Sequence, residues 1–185
     1  MTYDPGFDTF DPEPPEAPRD FTSRVVNAAL LNRRTFRDIQ EDPTGPAQVY
    51  VLVAAAAVAA GIGSIDDPTL AIQNAFLTVA GWLIYSHVAW FMRSYIFDSI
   101  HAEASRPNMM RVVGIAYGAG LFRALGIVPG IGELIFALAT IWIVVAIAVG
   151  LKSTLAFKDY GPVVGIIAIG VLLNFTLSAF VFAFG

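Results

Sequence analysis

The chain has 185 residues, 56% of them hydrophobic and 14% charged, where a soluble domain carries roughly 25% charged residues. A net charge of −4 leaves no basic surface for nucleic acid, and the lack of any cysteine excludes disulfides, thiolate metal sites and thiol chemistry. The apolar excess is unevenly placed: residues 1–46 are polar, acidic and proline-rich, and residues 47–185 are mostly apolar runs of a length that matches a bilayer core of about 30 Å.

Residues 1–20 hold five prolines and six acids against the single Arg19. Such a segment cannot bury enough apolar surface to offset the entropy of ordering it. It reads as a disordered, solvated acidic tail, in which Tyr3, Phe7 and Phe10 would serve a docking peptide. It has neither the basic nor the apolar region of a signal peptide, so insertion is expected to start from an internal helix.

Residues 21–42 pattern as one amphipathic helix, capped by Thr22 or Ser23 and stopped by Pro43. Val25, Ala28, Ala29, Phe36 and Ile39 share one face, flanked by Leu30 and Leu31, with Arg33, Arg34 and Arg37 on the other side. Two placements fit this pattern: a helix lying in the headgroup region, or a cytosolic helix packed on a membrane bundle. Residues 21–46 are thus a cytosolic or interfacial helix with its linker.

Residues 47–185 predict an all-α fold, a polytopic transmembrane helical bundle of five spans, since a helix satisfies its own backbone hydrogen bonds in lipid. The first span, about residues 48–65, is rich in Ala and Val and ends at Gly61, Gly63 and the turn Asp66-Asp67-Pro68. Asp67 is placed to cap the next helix, with Pro68 at its first position. The second, about residues 70–92, gathers Trp82, Tyr85, Trp90 and Tyr95 toward one end, where amphipathic rings suit the membrane interface. The third, about residues 112–128, is short and contains Arg123; it crosses fully or re-enters beside the fourth. Its Gly114 and Gly118 form a small-xxx-small pattern that permits close helix contact. Pro129-Gly130-Ile131-Gly132 reads as a tight hairpin, followed by spans at about residues 133–151 and 163–184.

The cations sort by loop. Arg33, Arg34 and Arg37 precede span one, Arg93, Arg106 and Arg111 separate spans two and three, and Lys152 and Lys158 separate spans four and five. The opposite connectors hold no Lys or Arg. The positive-inside rule then predicts a cytoplasmic N-terminus and an outer C-terminus, which only an odd number of spans satisfies.

Arg123 breaks this pattern, and an ionisable group within a span is a functional candidate. Two expectations attach to it: an ion pair with Glu133 across the hairpin, or a side chain that snorkels to the outer headgroups. Asn174 and Ser178 lie one helical turn apart on the last span, where they would line a pathway or bond across helices. His87 and His101 have no metal-ligand spacing, and Ser86-His87 point to different helix faces. No span holds paired carboxylates, and no catalytic, cofactor or metal set converges. A non-enzymatic protein without cofactors is the expectation.

The segment R-T-F-R-D-I-Q-E-D-P at residues 34–43, leading into an Ala/Val-rich span, is one landmark. Arg111, Gly114 and Ala116, then L-G-I-V-P-G-I-G-E, Ile141-Trp142 and L-K-S-T-L-A-F-K-D-Y-G, follow in order. Together they resemble the prokaryotic branch of the Yip-domain family, membrane proteins named for interaction with Ypt/Rab GTPases, over about Arg24 to the C-terminus. Ala119, where relatives often have Pro, and Arg123, at a position expected to be apolar, depart from the family's pattern. The resemblance implies five spans and a cytosolic N-terminal region; Rab binding is not carried over, because the acidic tail matches no family motif.

The expected function is a membrane scaffold or organiser in a bacterial inner membrane. Its partners would be the lipid bilayer and other membrane proteins or further copies of itself, not nucleic acid. Its candidate interaction and structural residues are Arg34, Arg37, Arg123, Pro129, Gly130 and Glu133. The alternative is a small transporter or channel component with Arg123, His87 and Asn174 along a pathway.

Overall fold

The computed structural model describes residues 20–42, 44–97, 105–155, 157 and 159–184, and among them the ordered elements are all helical. Two short helices, α1 (Phe21–Ala29) and α2 (Arg33–Glu41), precede α3 (Gly45–Ile62) and α4 (Pro68–Tyr95). Then come α5 (Arg106–Ala116), continued by a 3-10 helix over Tyr117–Ile127, α6 (Gly132–Thr154) and α7 (Gly161–Phe184). Five of these segments are long and apolar enough to cross a membrane: α3, α4, Arg106–Ile127, α6 and α7. The chain is a multi-pass membrane protein. The acidic tail, residues 1–19, lies outside the described residues.

The helix starts follow local chemistry. Asp67 caps α4 by accepting from the N–H groups of Thr69 and Leu70 at 2.9 and 3.1 Å, which satisfies two of the donors that a helix start leaves open. Ser105 accepts from the N–H of Asn108 at 3.3 Å to start α5, with Pro107 in the first turn. That start lies six residues before residue 112, because the charged Arg106 and Arg111 interrupt the hydropathy without interrupting the helix. The first span likewise begins earlier, at Gly45 with Pro46 in its first turn, and ends by Ile62.

The segment 21–42 is two helices, not one. Leu31 turns the chain at φ 62°, in the left-handed region that a branched side chain seldom adopts. The N–H of Asn32 bonds the carbonyl of Asn27 at 2.9 Å and that of Leu31 bonds Ala28 at 3.0 Å. This is the Schellman pattern, which usually has Gly where Leu31 stands. Asn32 then caps α2 by accepting from the Arg34 N–H at 3.0 Å. Asp20, rather than Thr22 or Ser23, occupies the N-cap of α1.

The structure packs this segment against the bundle. Ala28, Phe36 and Ile39 are fully buried. Phe36 lies against Gly150 of α6, and Ile39 against Gly45. Residues 21–42 are therefore part of the bundle and not a separate layer. α1 runs alongside the third span, with Val25 on Gly118, and the indole of Trp142 donates to the Ala29 carbonyl at 2.7 Å.

The third span runs the full length of its neighbours. Gly114 stands against Val49, Gly120 against Ala56 and Gly126 against Gly63, so it lies parallel to α3 from one end to the other. Against α6 the order reverses: Val112 lies beside Gly150, Gly120 beside Ile143 and Gly126 beside Gly132. Eleven α-helical residues rise about 16 Å and eleven 3-10 residues about 22 Å, more than the ~30 Å of a bilayer core. A re-entrant turn is thereby excluded.

The interior is built from Val49, Leu52 and Val53 of α3, Val112 and Val113 of α5, and Ile143, Ile147 and Leu151 of α6. Trp82 and Tyr85 belong to this interior, each 5% exposed, and only Trp90 and Tyr95 stand toward the end of α4. α7 is peripheral: Val163, Ile166 and Gly170 alone are buried, with Gly170 against Tyr85 of α4. The outer faces are apolar, with Val51, Val58, Ile72, Leu134, Ile141 and Phe175 well exposed. Water would penalise such a surface; lipid would not.

Candidate functional site

One end of the bundle carries the cations. Arg37 donates to the Ser153 carbonyl at 3.0 Å, Arg93 to the Phe97 carbonyl at 2.7 Å, and Lys152 to the Phe157 carbonyl. These are carbonyls at or just beyond the C-terminal ends of α4 and α6, where the helix dipole attracts positive charge. Arg111 donates to the Gln40 carbonyl at 2.7 Å, at the end of α2. The far end of the bundle, at residues 63–67 and 128–133, carries Asp66, Asp67 and Glu133.

Arg24 and Asp42 form an ion pair that ties the start of α1 to the end of α2. Arg24 also donates to Gln48 of α3 at 3.0 Å. The Asp42 carboxylate is held down at about 2, first by the Thr44 hydroxyl, then by the Thr44 N–H and the Arg24 guanidinium, against the opposing effect of burial. With α1 and α2 fixed in this way, Arg33, Arg34 and Arg37 form an exposed row on the basic end, and Arg33 reaches the Tyr160 hydroxyl at 3.4 Å.

The most unusual group lies inside. Arg123 is only 9% exposed. Its Nε donates to the Thr140 hydroxyl at 3.2 Å and its Nη1 to the Thr78 hydroxyl at 3.0 Å. The guanidinium carbon lies 5.2 Å from the centre of the Phe136 ring, a cation–π distance. Thr140 is eight residues into α6 and Thr78 ten into α4, so the group sits about 12–15 Å below the acidic end. It neither pairs with Glu133, which is exposed, nor turns out to the headgroups.

Beside it is a cavity of about 180 Å³, lined among others by Asn74, Thr78, Tyr85, Tyr117, Asn174 and Ser178. The register of α4 explains this convergence. Asn74, Thr78, Gly81 and Tyr85 follow one another at four, three and four residues, which keeps them on one helix face. Asn174 and Ser178 share a face of α7, as their spacing predicts. Gly81 lets the groups meet: a Cβ there would lie 2.7 Å from Asn174 Nδ2 and 2.9 Å from the Tyr117 hydroxyl.

The sequence candidates therefore separate. Arg34 and Arg37 stand on the basic end, Pro129, Gly130 and Glu133 on the acidic end, and Arg123 in the interior with Asn174. His87 is not in the cavity; its Nδ1 lies 2.6 Å from the Leu83 carbonyl and its Nε2 2.5 Å from Arg106, so Nδ1 carries the proton and Nε2 accepts. Sequence reasoning missed Thr78, Thr140, Tyr85 and Tyr117. The polar spacing on α4 was a usable signal for the first and third; nothing local marks Thr140 or Tyr117.

Among the described residues no group of three or more His, Cys, Asp or Glu could hold a metal ion. Comparisons with protein-family models, with curated proteins and with solved structures find no match to this chain.

Proposed function

We propose that this chain is a non-enzymatic membrane scaffold of the Yip-domain type, inserted in a bacterial inner membrane with its basic end toward the cytoplasm. The observation that supports this reading is the α1–α2 unit. It is fastened to the bundle by the Arg24–Asp42 pair and by Phe36 and Ile39, and it presents Arg33, Arg34 and Arg37 together. An ordered row of guanidinium groups suits recognition of an acidic protein segment, because each can donate in pairs to a carboxylate. The order of the landmark motifs supports the family assignment.

The test is cross-linking in native membranes with the full chain, comparing the wild type with Arg33→Gln/Arg34→Gln/Arg37→Gln. All three residues are exposed, so the variant is expected to fold and insert at wild-type yield. Loss of a defined stoichiometric cross-linked product supports the scaffold; an unchanged set of products contradicts it. A second reading, a small transporter, draws on one observation: Arg123 and Asn174 share a cavity. Flux of a solute into liposomes holding the pure protein would favour it.

A further inference from the structure

We infer that the cavity beside Arg123 binds a small monovalent oxyanion, such as nitrate or formate, entering from the acidic end of the bundle. This inference is independent of the scaffold reading.

The argument starts from the arginine's hydrogen bonds. A guanidinium has five N–H donors and no acceptor. Two are met by Thr78 and Thr140. Both hydroxyls are already oriented: Thr78 donates to the Asn74 carbonyl at 2.7 Å and Thr140 to the Phe136 carbonyl at 2.8 Å. Their protons are committed to their own helices, so each presents a lone pair to Arg123. The Nη2 group makes no hydrogen bond to any described residue, and no carboxylate of a described residue pairs with Arg123. Thus a cation nine-tenths buried keeps three N–H donors unmet, two of them on Nη2. A buried charge without a partner is costly, and an anion in the adjoining space offsets that cost.

The cavity matches that chemistry. Its lining contains Arg123 and no Asp or Glu. Asn174 Nδ2 and the Tyr117 hydroxyl, which approach each other at Gly81, supply further donors. A volume of about 180 Å³ holds a small anion with a few waters. One positive charge at this depth favours a monovalent ion, because a divalent one would lose more hydration than a single guanidinium returns. Planar nitrate or formate suits the fork of a guanidinium.

The polar lining runs toward one end. Toward the acidic end the polar lining continues to Asn74, whose Nδ2 donates to Ser64 in the loop after α3 at 2.7 Å. Toward the basic end Ala89, Ile147, Leu151 and Ile166 are fully buried and fill the interior. The geometry is a closed-ended vestibule, a binding site and not a channel.

The test uses purified full-length protein in nanodiscs. Thermal unfolding is followed as sodium nitrate or sodium formate replaces sodium gluconate at constant ionic strength. Gluconate serves as the bulkier reference anion. The wild type should melt at rising temperature with a saturable dependence on nitrate or formate. Arg123→Gln should raise the half-saturating concentration about tenfold or more, the usual cost of a lost charged hydrogen bond. Arg106→Gln, on the basic end, should leave it within about twofold, as expected for a long-range charge screened by salt. Should Arg123→Gln not fold, Asn174→Leu, which removes a donor with little change of shape, should also weaken binding. No saturable effect in the wild type, or the same half-saturation in Asn174→Leu and in any folded Arg123→Gln, overturns the inference.

Discussion

At the scale of single residues, the energetics turn on what leaves a polar group without its partner. Thr78→Val removes an acceptor from Arg123 and leaves another of its N–H groups unmet, which should cost about 1–3 kcal/mol. Arg123→Met removes the buried charge instead. Both threonine hydroxyls keep their bonds to their own helices, so stability should change by less than about 1 kcal/mol, or increase. Unfolding equilibria of the two variants in a mixed-micelle titration check this ordering. If Arg123→Met were the more damaging, the guanidinium would be contributing net stability.

Asp42 gives a pH signature outside the membrane. Its pKa is lowered from 3.8 to about 2 on folding, so its stabilising contribution is complete above the ordinary carboxylate range and is lost as pH falls toward 2. The stability difference between the wild type and Asp42→Asn should stay constant from about pH 8 to 5 and shrink between about pH 4 and 2, as the unfolded and then the folded carboxyl protonate. A difference that grows on acidification would contradict the Thr44 and Arg24 contacts.

At the scale of elements, the third span depends on glycines where backbones meet. A Cβ at Gly126 would lie 2.6 Å from the Gly63 carbonyl oxygen and 3.0 Å from its Cα. These atoms belong to backbone that cannot rotate away. Gly126→Ala should therefore destabilise by about 1–3 kcal/mol through overpacking. Gly130, by contrast, has open space around it but a φ of +83°. Gly130→Ala should cost about 1 kcal/mol, through backbone strain alone. Thermal melts of both in detergent separate a packing role from a conformational one.

The elements also show what was legible in the sequence and what was not. All five spans were readable from hydropathy, and the Asp67-Pro68 start of α4 and the turn at Gly130 from turn chemistry, because each depends on neighbours in sequence. The break at Leu31 was hidden: the turn has the hydrogen bonds of a glycine-ended helix without the glycine. The surroundings of Arg123 were hidden for a different reason. Thr78 and Thr140 lie 62 residues apart in the numbering, and only the packing of α4 and α6 on the 3-10 segment brings them together. The polar face of α4 at Asn74, Thr78 and Tyr85 could have been found by counting residues, yet small polar groups are common enough in spans to pass as helix–helix contacts.

At the scale of the whole molecule, charge and hydropathy act on different axes. Apolar side chains cover the flanks along the bundle's length, while Arg33, Arg34, Arg37, Arg93, Arg106 and Lys152 gather at one end and Asp66, Asp67 and Glu133 at the other. The parallel run of the third span along α3 fixes which connectors share an end, so the topology follows from packing as well as from the count of cations. The basic end holds the α1–α2 unit, and the polar lining of the cavity runs toward the other. Partner recognition and anion binding are thus proposed for opposite ends of one fold.

The central claim is that five helices cross the bilayer and leave alternate connectors on opposite sides. Single-cysteine accessibility tests it most directly, since the chain contains no cysteine of its own. In intact cells, Asp66→Cys and Pro129→Cys should react with a membrane-impermeant maleimide. Ser105→Cys and Asp159→Cys should react only after permeabilisation. Labelling of all four sites in intact cells, or a split between 66 and 129, would contradict the five-span arrangement.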